Sequence, residues 1–179
     1  GALLGAALSC VVLFSGADSS RLLDWLLGST AQATWPRVGA MAAVLVPGLL
    51  LLGRDAGRLN ALAVAGPDAA ALGVDVPRVS RRVLFAGTAL AAAAVGAIGI
   101  VGFVGLVAPH LARRSGGTDW RRGLPLSALY GATILALADL VATRAGAIFP
   151  TVLTGGLPVG VVTAAVGAPW LLFALRRPA

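Results

Sequence analysis

The chain predicts an all-α, polytopic membrane protein with about six transmembrane segments, one of them short and returning, and a helix pair outside the bilayer. Three observations carry that prediction. Of 179 residues, 58% are hydrophobic and 12% charged, whereas soluble domains sit at about 45–50% and about 25%. Residues 83 to 112 carry no charge at all. The charges that remain are mostly arginines gathered into short polar stretches. An outer-membrane barrel would alternate apolar and polar residues along strands of about ten residues, and no such alternation is present.

Six apolar stretches follow in order. Gly1 to Ser15 is short for a span, which takes about 20 residues. It opens on glycine inside an apolar run with no basic start, so it does not read as a signal peptide and suggests a chain beginning mid-protein. Val38 to Gly53 is the second stretch. The third starts after Arg82 and reaches the glycine series Gly96, Gly99, Gly102, Gly105; the fourth continues to Leu111. Leu124 to Thr143 and Leu157 to Leu175 are the fifth and sixth.

The third and fourth stretches set the topology. As one helix the run would be roughly 45 Å long at 1.5 Å per residue, against a hydrocarbon core of about 30 Å. As two full spans it is too short. A full helix, a break in the glycine series and a short returning helix reconcile the lengths. Arginine placement favours the same answer. With a single crossing, the arginines divide six to eight between the two sides. With a return, Arg54, Arg58, Arg78, Arg81, Arg82, Arg113, Arg114, Arg121, Arg122, Arg176 and Arg177 share one side, and only Arg21, Arg37 and Arg144 lie opposite. Eleven to three is the bias of a cytoplasmic face. Both chain ends then lie on that face. The net charge of +7 has this origin and does not indicate nucleic acid.

The segment 58–76, RLNALAVAGPDAAALGVDV, is too polar and too broken to span. It predicts two short helical pieces, Leu59–Ala65 and Asp68–Leu72, separated by Gly66 and Pro67. Pro67 and Asp68 suit a helix start, and Gly73 suits a stop. Leu59, Leu62, Leu72 and Val74 give it an apolar side. Two readings stand: an amphipathic linker lying on the membrane, or a compact knob docked into a cytoplasmic partner.

Other features also carry two readings. The period-three glycines either let helices pack closely or mark a break whose backbone faces protein or a water-lined pathway. Before the last span, Gly155-Gly156-Leu157-Pro158-Val159-Gly160 permits a tight entry, with Pro158 in a first helical turn. Asp139, an ionisable residue within a span, is a functional candidate by default or a hydrogen-bonded structural carboxylate. Arg21 and Arg144 are interfacial anchors or contacts for an extracytoplasmic protein. One histidine, His110, and one cysteine, Cys10, do not make a metal site, and no cofactor is expected. No nucleophile–base constellation or phosphate-cradling loop is present, so the chain is not expected to be an enzyme.

The strings LNALAVAGPDAAALGVDV, AIGIVGFVGLVAPHLAR, LPLSALYGATILALADLVATR and LPVGVVTAAVGAPWLLFALRR, with WLLGS at Trp25–Ser29, resemble in order the carboxy-terminal half of the FecCD-type permeases. These are membrane subunits of ATP-binding-cassette importers for ferric siderophores, haem and cobalamin. The resemblance implies a single permease domain over 1–179, whose segments are the fifth to tenth of about ten helices. It implies ABC ATPase subunits below, a second permease subunit or fused second half, and a substrate-binding protein outside. It makes Leu59, Leu62, Ala65, Gly66, Asp68, Ala71, Leu72 and Gly73 the ATPase-coupling element. With the break read from the chain itself, Gly96, Gly99, Gly102, Gly105, Pro158 and Gly160 are the break and pathway residues; the resemblance makes Arg21 and Arg144 binding-protein contacts and places the chain in the bacterial inner membrane. The chain departs from the family at Gly156, where an acidic residue is usual. Rival readings are an ion-driven secondary transporter or channel, which should show paired intramembrane charges or an inverted repeat, and a non-transporting scaffold.

Overall fold

The computed structural model describes residues 26–30, 33–148 and 157–175. The first apolar stretch, Arg21, Arg176, Arg177 and the segment before Leu157 lie outside the described residues. The other five stretches are helical: α1 Trp35–Ala65, α2 Val76–Ile98, α3 Val104–Gly116, α4 Trp120–Ile148 and α5 Val159–Leu175, with a 3-10 turn at Gly66–Ala70. The protein is thus all-α, and α1, α2 and α4 are long and apolar enough to cross a membrane.

α1 differs from the expected boundaries. It runs unbroken from Trp35 to Ala65, so Leu59–Ala65 is its last two turns and not a separate piece. The stretch Arg54–Ala65 is polar enough to leave the bilayer, yet it consists mainly of good helix formers. Depth and conformation are separate matters there. Gly66, at φ 55°, ends the helix, its N–H donating to the Leu62 carbonyl. Beyond it the expected helical piece at Asp68–Leu72 begins two residues earlier, as a 3-10 helix over Gly66–Ala70 followed by tight turns. Ala71, Leu72 and Gly73 donate to the carbonyls three residues back. Between Pro67 and Gly73 there is too little chain to nucleate an α-helix, and 3-10 geometry takes its place.

α2 begins at Val76, before Arg78, Arg81 and Arg82 and not after them. Asp75 caps it by accepting from the Arg78 N–H at 3.1 Å, and Pro77 sits in the first turn, the usual pairing of cap and proline. α4 has a similar start. Asp119 accepts from the Arg121 N–H through its side chain at 2.9 Å and from the Gly123 N–H through its carbonyl at 2.8 Å.

Contacts between helices establish the direction of each. Gly48 of α1 faces Leu90 of α2 while Asp55 pairs with Arg82, so these two are antiparallel. Gly131 of α4 faces Ala108 and Val104, and Gly116 faces Leu126, so α3 and α4 are antiparallel too. Asn60 of α1 bonds to Asp119 at the start of α4. The end of α1, the start of α2, the end of α3 and the start of α4 therefore share one end of the bundle. Val104, where α3 begins, lies against the middle of α4. The chain rises along α2, breaks at Gly99–Phe103 and comes back along the shorter α3. α5 packs on the far half of α4, where Ala138, Ala142, Val159 and Val162 form a small buried cluster.

The interior is built from small residues, with Ala56, Ala69, Ala86, Ala108 and Ala112 buried. Large apolar residues such as Leu50, Leu84, Phe85, Leu129 and Val166 face outward. That inversion suits helices in lipid, where close backbone approach rather than water exclusion holds neighbours together.

Candidate functional site: the arginine-rich end and the helix break

Nine arginines in the described residues, at 54, 58, 78, 81, 82, 113, 114, 121 and 122, belong to the shared end. The knob Gly66–Ala70 is there as well. Ala69 is wholly buried and Leu59 nearly so, which seats the knob on the last turns of α1. Leu62, Ala65, Gly66 and Val74 are half-buried; Asp68, Ala71 and Gly73 are exposed. The four expected apolar residues do not form one side. Leu59 turns inward, while Leu72 is 68% exposed and Val64, on the last turn of α1, 91%.

Two polar arrangements brace this end. Asp55, with a side chain 3% exposed, pairs with Arg58 on its own helix and with Arg82 of α2 at 3.8 Å. Asp55 was not singled out in the sequence because it falls between the apolar stretch that ends at Gly53 and the helical piece that starts at Leu59; the i, i+3 pair in RDAGR is the local signal for it. The second arrangement joins α1 to α4. Asn60 Nδ2 donates to Asp119 Oδ1 at 2.6 Å, and Asn60 Oδ1 accepts from the Trp120 N–H at 2.8 Å. The Asn60 amide, then the Arg121 backbone N–H, then the charges of Arg121 and Arg122 hold the Asp119 carboxyl below the usual carboxylate range, against a smaller opposing effect of desolvation.

The break lies towards the other end. Gly99 closes α2 at φ 77°, a conformation glycine adopts without strain. Phe103 holds φ 66° just before α3, a left-handed conformation that is uncommon for a bulky residue. Leu26–Thr30 lies across this region. The Ser29 N–H donates to the Ile98 carbonyl at 2.9 Å, and the Gly160 N–H to the Gly28 carbonyl at 3.3 Å. A Cβ on Gly160 would collide with the Leu27 carbonyl and come within 3.0 Å of the Ile100 carbonyl. Gly102 and Gly160 line one open groove with Leu26, Leu27 and Ile100, and Pro158 immediately precedes α5. Gly96 lies within α2 and Gly105 in the first turn of α3; a Cβ at either would meet nothing within 4 Å.

Asp139 of α4 accepts a hydrogen bond from the Thr30 hydroxyl. Arg144 is exposed near the far end of the same helix. His110 stands edge-on to Trp170, ring centroids 5.1 Å apart. Among the described residues no three histidine, cysteine or acidic side chains cluster as metal ligands would. Between α3, α4 and α5 lies an almost wholly apolar cavity of about 280 Å³, bounded by Phe103, Val107, Ile134, Leu137, Val162 and Trp170.

Long apolar helices, a small-residue interior, a broken helix pair and one arginine-rich end define a polytopic membrane protein of the ABC permease fold. The backbone matches that of a metal-chelate type ABC transporter in an inward-facing conformation, with a TM-score of 0.82 and 28% identity, covering 99% of this chain and 57% of that one. Among curated proteins it is similar to the cobalamin import system permease protein BtuC of Halobacterium salinarum, 42% identical over 97% of this chain and 45% of that protein. It is also similar to the vitamin B12 import system permease protein BtuC of Vibrio cholerae (40%, covering 99% and 52%) and to the hemin transport system permease protein HmuU of Yersinia pestis (35%, covering 98% and 51%). The model of the FecCD transport family matches residues 1–177, and the chain belongs to that family. It spans about half the length of the curated relatives it matches.

Proposed function

We propose that this chain supplies the helices of a permease subunit in an ATP-binding-cassette importer, moving a cobalamin, haem or ferric-siderophore substrate across the cytoplasmic membrane. The arginine-rich end faces the cytosol, and the knob at Leu59–Gly73 docks into a separate ATPase. A binding protein delivers substrate at the opposite end, beside Arg144, and a second permease subunit or fused half completes the pathway. The observation that carries this reading is the doubling-back at Gly99–Phe103, which gathers the knob and nine arginines at one end of a fold shared with importer permeases. Alternating access then proceeds by movement of packed helices, with bond chemistry confined to the ATPase.

The test uses the intact transporter in vesicles. ATP hydrolysis should rise when substrate-loaded binding protein is added, and uptake should require ATP. Uptake driven by an ion gradient without ATP would replace this reading with a secondary carrier. Orientation is checked with Cys10 replaced and a cysteine placed at Thr118. A membrane-impermeant thiol reagent should label it only after cells are permeabilised, and labelling in intact cells would invert the topology.

A further inference from the structure

The helices fall into two groups. α1 and α2 pack along one another, and the knob sits on α1 and touches α2. α3, α4 and α5 pack together, and α1 also meets α4. The groups are joined covalently at the Gly99–Phe103 break, through Leu27–Thr30 beside it, and at the arginine-rich end by packing of α1 on α4, where Asn60 makes the side-chain hydrogen bonds.

The Asn60 contact has a particular chemistry. The first N–H groups of a helix have no partner within it, and Asn60, on a different helix, accepts from that of Trp120 at 2.8 Å. With its other amide atom it donates to the capping carboxylate of the same helix at 2.6 Å. Among short side chains only asparagine offers a donor and an acceptor in one rigid plane; aspartate would face Asp119 with like charge. Asn60 lies on the same continuous helix as Ala65, so a push on the knob reaches it through hydrogen-bonded backbone. From Asp119, α4 extends 29 residues, about 43 Å at helical rise. Its far half holds α5 through Ala138 and Ala142, and Thr30 through Asp139.

We infer that the two-way clasp between Asn60 and the Asp119–Trp120 start of α4 is the joint through which the knob moves the α3–α4–α5 group. Asn60 and Asp119 are then positioning residues for transport. The inference rests on the importer reading above and names the contact that reading requires but does not specify.

The experiment compares Asn60→Asp, Asn60→Ala, Asp119→Asn and the double variant Asn60→Asp/Asp119→Asn in the intact transporter. It measures assembled complex, basal ATPase, its stimulation by substrate-loaded binding protein, and ATP-driven uptake. Asp119→Asn keeps an oxygen for Asn60 and Arg121 and should behave nearly as wild type. Asn60→Asp and Asn60→Ala should assemble with the ATPase and lose stimulated uptake by about tenfold, within the range of typical coupling between sites. The double variant removes the like-charge contact and restores a donor and an acceptor between positions 60 and 119, but the atom turned towards position 60 no longer accepts from the Arg121 N–H, so it should regain only part of the uptake lost in Asn60→Asp. Unchanged stimulation in Asn60→Ala, or a loss in Asn60→Asp that the double variant does not relieve, would overturn the joint. So would failure of both single Asn60 variants to assemble, which would make the residue structural. A wild-type complex that shows no stimulation would refute the importer reading instead.

Discussion

Replacing Gly167 by alanine tests whether the broken backbone at Phe103 is seated against α5. A Cβ at Gly167 would stand 2.5 Å from Phe103 Cγ and closer still to Phe103 Cβ, where carbon atoms settle at about 3.5–4.0 Å. Phe103 cannot yield cheaply. It is already left-handed, and its carbonyl accepts from the Leu106 and Val107 N–H groups at 3.0 and 2.9 Å, so retreat would loosen the first turn of α3. Overpacking of this kind costs about 1–3 kcal/mol. Against it, alanine in a helix interior gains about 0.5–1 kcal/mol over glycine. Gly167→Ala should therefore destabilise the protein by up to about 2 kcal/mol net. In a Phe103→Gly background both colliding atoms are gone, and glycine accepts φ 66° without strain. There the same substitution should reverse sign and stabilise by up to about 1 kcal/mol. The assay is thermal unfolding of the intact protein in one detergent, run as a double-mutant cycle. Equal effects of Gly167→Ala in the two backgrounds would refute the packing of the break on α5.

Two further outcomes follow from the charged groups. Asp55 is buried while Arg58 and Arg82 are 53% and 48% exposed, so the pair should respond asymmetrically. Asp55→Asn returns two half-exposed arginines to solvent and should cost about 1 kcal/mol. Arg58→Ala/Arg82→Ala strands a buried carboxylate and should cost about 3 kcal/mol; the reverse order in thermal unfolding would contradict the burial. The second outcome concerns pH. The Asp119 carboxyl is held below its usual range, so its ionised form favours the folded state. That contribution is complete above the unfolded value and is lost as pH falls through the folded one, below about pH 4. The stability difference between wild type and Asp119→Asn should be level near neutrality and shrink only under acid; a change centred near pH 7 would implicate a different group.

The broad architecture was legible because it rests on lengths and charge balance. Residues 83 to 112 were too long for one span and too short for two, and the observed break at Gly99–Phe103 falls within the glycine series. Helix ends were less legible. The second stretch ends at Gly53 and the third starts after Arg82 in the sequence because the residues beyond are polar, but polarity reports where a segment sits and not whether its helix continues. That misplacement concealed Asp55. The clasp was out of reach for another reason: Asn60 and Asp119 are 59 positions apart, and one sequence holds no record of which distant residues meet. Phe103 was hidden because a left-handed phenylalanine carries no compositional mark, unlike the glycines beside it. Gly160 was partly visible, as a tight entry to the last span, though not its approach to the carbonyls of Leu27 and Ile100.

The two ends of the bundle are held by different chemistry, and the difference bears on how it can move. At the break, backbone meets backbone: Ser29 satisfies the Ile98 carbonyl at the end of α2, and Gly28 satisfies the Gly160 N–H at the start of α5. In lipid such groups have no water to turn to, and each left unpaired costs several kcal/mol. Leu27–Thr30 therefore binds the ends of α2 and α5 into one junction, with Asp139 of α4 attached through Thr30. At the arginine-rich end the connection between groups is made by Asn60, Asp119 and exposed guanidinium groups, all within reach of water. Exchanging those bonds for bonds to solvent costs far less, about 0.5–1.5 kcal/mol for an ordinary hydrogen bond. In the proposed importer, a push carried across the clasp would therefore be accommodated among the water-accessible bonds of the arginine-rich end before it opened the junction at Gly28, Ile98 and Gly160.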